Sequence, residues 1–427
     1  MRLLLTLLIF VSFQIVQGQK TILHAGKLID GFNAKALTEQ TIVIEGGKIT
    51  SVSAGYTPGE SGDVVIDLKD KTVTPGLIDM HVHIEGETSP DRYLKRFTQN
   101  PADVAYDAAI YARKSLMAGF TSVRDMGGSG VNISLRNAIN KGKVVGPRII
   151  TAGKALSITG GHGDPTNGYR RDLMGDPGPK EGVVNSEEDA KKAVRWRYKN
   201  GADWIKITAT GGVLSVAKDG SGPHFKENEI ASIVSAAKDL GYDVAAHAHG
   251  AEGMKRAVRA GVKTIEHGTM MDDETMDLMI KNNCYLIPTI SAGKYVAQKA
   301  QENPRYFPPV VAQKAIAIGP QIQETFGRAY RKGVLIGFGT DAAVFPHGDN
   351  WKELIYMNEA GMPAMETIQT ATSVNARILR MEDKIGSIKS GLEADIIAID
   401  GDPLEDLSAF GSVSFVMKAG EVFKNSN

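Results

Sequence analysis

Two histidines one residue apart, His81 and His83, end the apolar run LIDMHVHI. In a strand, residues i and i+2 face the same way, so both imidazoles are presented together and can share a metal ion. An HxH pair alone fits an ordinary strand end equally well. The rest of the chain moves the balance. Lys206 lies in DWIKIT, His247 and His249 in AAHAHG, His267 in TIEHG and Asp341 in GFGTD, each in or at the end of a strand-like run. Nitrogen and carboxylate donors of this kind suit zinc or a similar divalent ion. Lys206 is the odd member, because an ammonium among Trp204, Ile205 and Ile207 is costly without a partner. One reading pairs it with a carboxylate. The other notes that desolvation and nearby cations lower a lysine pKa. A neutral amine can then capture carbon dioxide and become a two-oxygen carbamate ligand.

Further polar residues sit in loops. His162, in the glycine-rich TGGHGDPTNG, is placed to stabilise an oxyanion or orient a carbonyl, or else only bonds the backbone. His249 faces the same way as His247 and reads as a substrate contact or a support for a ligand. Gly212 and Val213, with Gly211, fall in GGVLSVAKDGSGPHF, a loop able to shape a pocket. Asp341 is a candidate proton carrier; capping of a following helix is its plainer alternative. Arg170 and Arg171 could bind a substrate carboxylate but are more simply solvated. His224 and His347 read as exposed loop residues, and His24 as remote from the site.

Strand-like and helical runs alternate from Gly76 to about Arg380. The strand candidates are Gly76–His83, Thr121–Asp125, Arg148–Ala152, Trp204–Thr208, Asp243–His247, Thr264–His267, Tyr285–Thr289 and Val334–Thr340. Eight strands alternating with helices form the pattern of a (β/α)8 TIM barrel, an α/β fold whose active sites lie at the C-terminal strand ends. Each candidate ligand falls there or close by. SEEDAKKAVRWRYKNG and ENEIASIVSAAKDLG open acidic and close on glycine, as helices do, and Ser186 is a candidate N-cap. A doubly wound sheet is disfavoured, because no glycine-rich dinucleotide fingerprint follows any strand. Short β-rich runs at both ends predict a small β-sandwich domain built from residues 19–75 and 381–427, with the barrel, 76–380, inserted between them.

Residues 1–18 read as a signal peptide: Arg2, an apolar stretch too short to span a bilayer comfortably, then Val16-Gln17-Gly18. The expected location is therefore exported, periplasmic or secreted, with no stable membrane insertion after cleavage. The 49 basic and 49 acidic residues cancel, so no surplus of charge points to nucleic acid. Cys284 is the single cysteine and cannot form an internal disulfide; it opens CYLIPTI and reads as core.

The ordered set of HVH, a strand-four lysine, histidines on strands five and six and a strand-eight aspartate resembles the amidohydrolase superfamily. ADIIAIDGDPLED is similar to that superfamily's C-terminal β segment. More narrowly, KITATGGVLS, AAHAHGAEGMKRAVRAG, IEHGT and GTDA resemble the secreted metal-dependent dipeptidase and carboxypeptidase branch, which includes ochratoxin-hydrolysing enzymes. The resemblance implies two divalent ions, zinc by preference. His81 and His83 would bind one and His247 and His267 the other, with N6-carboxylated Lys206 between them and Asp341 completing the first site. It also implies a homo-oligomer, an octamer being one form. The expected reaction is hydrolysis of an amide in dipeptides or N-acyl amino acids, releasing the C-terminal amino acid, with amide toxins such as ochratoxin as further substrates. A cyclic-amide hydrolase or deaminase, or a non-catalytic ligand-binding relative, is the alternative.

Overall fold

The computed structural model describes residues 19–217 and 220–426, without the side chain of Arg171; the expected signal peptide lies outside the described residues. Both chain ends enter one sheet. β1 (Thr21–Leu28), β2 (Leu37–Glu45), β3 (Lys48–Ala54) and β4 (Val64–Pro75) come from the front of the chain. After the central region, β12 (Ile396–Ile399), β13 (Val413–Lys418) and β14 (Glu421–Asn425) return to it. The seven-stranded order is β14-β13-β12-β4-β1-β2-β3, with β1 and β4 parallel and the other pairs antiparallel. The expected sandwich is thus one continuously paired sheet. Its core holds Leu23, Ile42, Leu68, Ile396 and Phe415.

The central region carries parallel strands. β5 (Leu77–Val82), β6 (Phe120–Asp125) and β7 (Arg148–Thr151) form one sheet. β8 (Ile205–Thr208), β9 (Val244–Gly250), β10 (Thr264–Met270) and β11 (Tyr285–Ile287) form another. These strands are almost wholly buried and rich in aliphatic residues, as parallel strands covered on both faces must be. Helices alternate with them as expected. Glu187–Lys199 is capped by the Ser186 side chain, which accepts from the Asp189 N–H at 3.1 Å. No helix among the described residues is long and apolar enough to cross a membrane.

The eighth expected strand, Val334–Thr340, is not a regular strand. The segment bridges β11 at Ile336 and β5 at Ala342 instead. Side chains take part of the pairing a neighbouring strand would supply. Asn375 bonds both the N–H and the carbonyl of Phe338, at 3.1 and 2.8 Å. Asp79 accepts from the Thr340 N–H at 3.1 Å. A similar bridge, Leu156 to Ile207, links the loop after β7 to β8. The seven-stranded sheet is fastened to the central region by Arg148, which reaches Asp395 at 2.7 Å and also pairs with Glu393. Cys284 is buried, as expected.

Candidate metal centre

The C-terminal ends of β5, β8, β9 and β10 and the segment ending at Asp341 converge. His81 and His83 have ring centroids 5.4 Å apart, and His81 lies 5.1 Å from His267. His267 is 4.6 Å from His247, and His249 is 5.0 Å from His267. His162 stacks on His247 at 4.4 Å. Asp341 Oδ1 stands 3.7 Å from His81 Nε2 and 3.5 Å from His83 Nε2. Lys206 Nζ is 3.3 Å from His81 Nε2. His81, His83, His162, Lys206, His247, His249, His267 and Asp341 therefore lie side by side. The tightest group is His81, His267 and Asp341, whose ligand atoms lie within 4.8 Å of one another. It takes one histidine from each of the two expected pairs.

Each of the four candidate imidazole ligands has one nitrogen engaged and the other left for the centre. His81 Nδ1 meets Glu266 at 2.7 Å, His83 Nδ1 meets the Gly127 carbonyl at 2.7 Å, and His267 Nδ1 meets Thr289 Oγ1 at 2.6 Å. His247 is reversed: Nε2 donates to the Gly211 carbonyl at 3.1 Å, leaving Nδ1. This is how metal-binding imidazoles are oriented and their tautomers fixed. Asp341 Oδ1 is buried without a hydrogen-bond partner, a vacancy that a cation would fill. Two of the residues sit on left-handed backbone, His267 at φ 73° and Asp341 at φ 61°. Such residues cost about 1–3 kcal/mol each and cluster at functional sites.

Burial governs the electrostatics. It pushes His83 down to about 3 and His81, His247 and His267 well below the usual range, with Lys206 adding to the effect. The imidazoles are therefore neutral, the form that binds metal. Burial also lowers Lys206 below the ordinary lysine range and raises Asp341 above the ordinary carboxylate range. Burial is the main cause of the lysine's shift, and the charges of Glu266 and Asp341 oppose it. The donor set, the oriented rings and a lysine pushed by burial toward its neutral form fit divalent ions.

Glu266 and Arg124 were missed in the sequence. Glu266 Oε1 accepts from Arg124 Nη2 at 2.8 Å and from the Thr264 hydroxyl. Arg124 also donates to the Met80 carbonyl at 2.7 Å and lies over the Trp204 ring. A buried charge pair thus stands behind His81. Asp79 plays a similar part, accepting from the His81 N–H at 2.9 Å and from Asn350 at 2.7 Å. The only sequence signal was a charged residue inside each apolar strand.

His249 points Nδ1 at Thr269 Oγ1, 2.8 Å away, and burial and Lys314 hold it down at about 4. His162 is half-buried, and its Nδ1 is buried and unpartnered. Gly212 packs on its ring, since a Cβ there would stand 2.2 Å from Nδ1. Val213 is buried in an apolar cluster with Phe307 and Val311. Arg170 is exposed and pairs with Asp172, a solvated arginine. His24 bonds the Thr57 carbonyl in the seven-stranded sheet.

Two expectations are overturned. His347 is not exposed: it stacks on Tyr111 at 5.1 Å, and its Nε2 donates to the Gly86 carbonyl at 3.1 Å. It joins the loop after β5 to the loop after Asp341. His224 is half-buried, and its Nδ1 accepts from the His162 N–H at 3.3 Å, so it helps hold the His162 loop.

These features define a metal-dependent hydrolase of the amidohydrolase family, to which the chain belongs: the family model matches residues 72–423. Among its relatives, ochratoxinase of Aspergillus niger is 30% identical, over 96% of this chain and 87% of that one. A solved Xaa-Pro dipeptidase with methionine bound in the active site is 52% identical, with TM-score 0.93, covering 95% of this chain and 100% of that one. A prolidase complexed with N-methylphosphonate-L-proline is 32% identical, with TM-score 0.88, over 95% and 100%. The relatives' folds are of the TIM-barrel type.

Proposed function

We propose that the protein hydrolyses the amide bond of dipeptides or N-acyl amino acids and releases the C-terminal amino acid. The observation that carries the chemistry is the set of four imidazoles, each oriented through one nitrogen, around Lys206 and Asp341. The likeness to a Xaa-Pro dipeptidase, a prolidase and ochratoxinase supports the substrate class, amide toxins included. His81, His83, Lys206, His247, His267 and Asp341 would hold two divalent ions, zinc by donor chemistry, with Lys206 carboxylated. When bound, such ions make water nucleophilic near neutral pH and polarise the scissile carbonyl.

The chain's own residues do the rest. Asp341, close to both His81 and His83, takes a proton from the nucleophile and passes it to the departing amine. His162, stacked on His247, stabilises the carbonyl oxygen as negative charge develops. His249 contacts the substrate beyond, and the Gly212–Val213 backbone walls the pocket.

The parallel strands and the segment before Asp341 are taken as one closed (β/α)8 barrel, residues 76–380, with 19–75 and 381–427 as the β-domain. Residues 1–18 direct export, and the mature chain assembles as a homo-oligomer, up to an octamer. The deciding experiment screens dipeptides and N-acyl amino acids, varied at the C-terminal residue, by amine release from metal-loaded protein. Release of the C-terminal amino acid is expected. Silence on every amide, with metals present, would remove the proposal in favour of cyclic-amide hydrolysis, deamination or simple binding.

A further inference from the structure

Two helices follow β11, Ile290–Glu302 and Pro309–Ile318. They pack a separate apolar cluster near the site, with Phe307, Val311 and Ala315 against Val213 and Val344. Lys314 lies on the packed side of the second helix and is only 8% exposed. Lysine is almost never buried unless paired, so its partners are informative.

Among the described residues they include three carbonyls of one loop. Lys314 Nζ donates to the carbonyl oxygens of Gly212 at 2.7 Å, Ser215 at 2.7 Å and Ala217 at 2.8 Å. An ammonium has three donors, and three converging carbonyls suit them. Without a cation between them, those dipoles would repel, and the loop would have no reason to turn them to one point. Gly212 then carries the constraint inward. Its Cα lies against the His162 ring, where even a methyl group would clash, and His162 stacks on His247. Contact therefore runs unbroken from Lys314 through Gly212 and His162 to a metal-centre histidine.

We infer that Lys314 is a positioning residue, whose ammonium sets the 212–217 loop and, through Gly212, the place of the His162 ring. The loop's shape thus depends on the helix pair after β11 as well as on β8. The kinetic part of the test rests on the proposed role of His162; the exchange part does not.

The test compares Lys314→Met, which keeps the stem and removes the donors, with Lys314→Arg, which keeps the charge. Amide hydrogen exchange of residues 211–217 should rise by about tenfold or more in Lys314→Met, as for the loss of one charge-assisted hydrogen bond. Metal content should stay unchanged, and Lys314→Arg should recover part of the protection. Turnover should fall in kcat, and that loss should vanish when Lys314→Met is made in a His162→Ala background, because the lysine acts through the histidine. If Lys314→Met fails to fold, Lys314→Gln, with two N–H donors, is read the same way. Unchanged exchange, or a kcat loss of equal size in the His162→Ala background, overturns the inference. A wild type that cuts no amide but shows the exchange change overturns the proposed function and leaves the loop's dependence on Lys314 standing.

Discussion

His81 donates its Nδ1–H to Glu266 Oε2 at 2.7 Å, and both side chains are buried. The bond fixes the tautomer and turns Nε2 toward Asp341 and Lys206. Glu266→Ala should weaken metal binding by about 10–100-fold, as loss of such orienting partners does. It should also destabilise the protein by about 3–5 kcal/mol, because Arg124 is left buried without its counter-charge. Glu266→Gln keeps an acceptor for the imidazole and should lie between. Chelator competition and urea unfolding measure the two effects. Wild-type metal affinity in a folded Glu266→Ala protein would separate the carboxylate from the metal centre.

Asp341 lies close to both His81 and His83. Asp341→Asn keeps the size and removes the proton carrier. Turnover should fall by about 10²–10⁴-fold, the usual worth of general acid–base catalysis, while most of the metal is retained. Amine release and metal analysis on the same sample check this. Full activity in the variant would end the proton-carrier role.

Metal analysis of purified protein should give close to two ions per chain, and a firm value of one would sink the bridged pair. Removal by chelation should abolish turnover, and zinc should restore it. The melting temperature should fall as well. Any ion bound only by the folded form contributes about 2.7 kcal/mol at a hundredfold excess over its Kd. A melting curve indifferent to chelator would contradict a centre held by buried ligands.

The four expected ligand histidines could be picked out because each sits in or at the end of a strand-like run, where chain direction and alternation decide their facing. The supporting residues were not. Glu266 is the immediate neighbour of His267, yet its partner Arg124 is 142 positions away, and no local pattern joins them. Lys314 lies in a helix whose sequence gives no sign that three carbonyls converge on it. His347 looked like a solvated loop residue because PHGD is turn-like; its burial comes from Tyr111 and the loop after β5. The segment expected as an eighth strand forms only isolated bridges. Its backbone bonds go in part to the side chains of Asp79 and Asn375, which β-propensity cannot register.

Glu353 offers a test at a distance from the metal ligands. Its carboxyl accepts from the Ile290 N–H at 2.7 Å and the Ser291 N–H at 2.6 Å, holding the start of the helix after β11. Thr289, which bonds His267, immediately precedes that helix. Burial raises the Glu353 carboxyl from 4.5 to about 8, outweighing those hydrogen bonds, which act the other way. The folded protein therefore keeps a proton here that the unfolded chain releases above 4.5. This contribution to stability is complete below about 4.5, shrinks as pH rises, and is lost once pH passes about 8. Between those limits the decline attributable to one proton is at most about 1.4 kcal/mol per pH unit. Glu353→Gln cannot ionise and should flatten that part of the pH profile. Urea unfolding of both proteins at pH values across this window measures it. Parallel slopes would show that Glu353 is already ionised in the folded state and that its two N–H donors, not burial, set its charge.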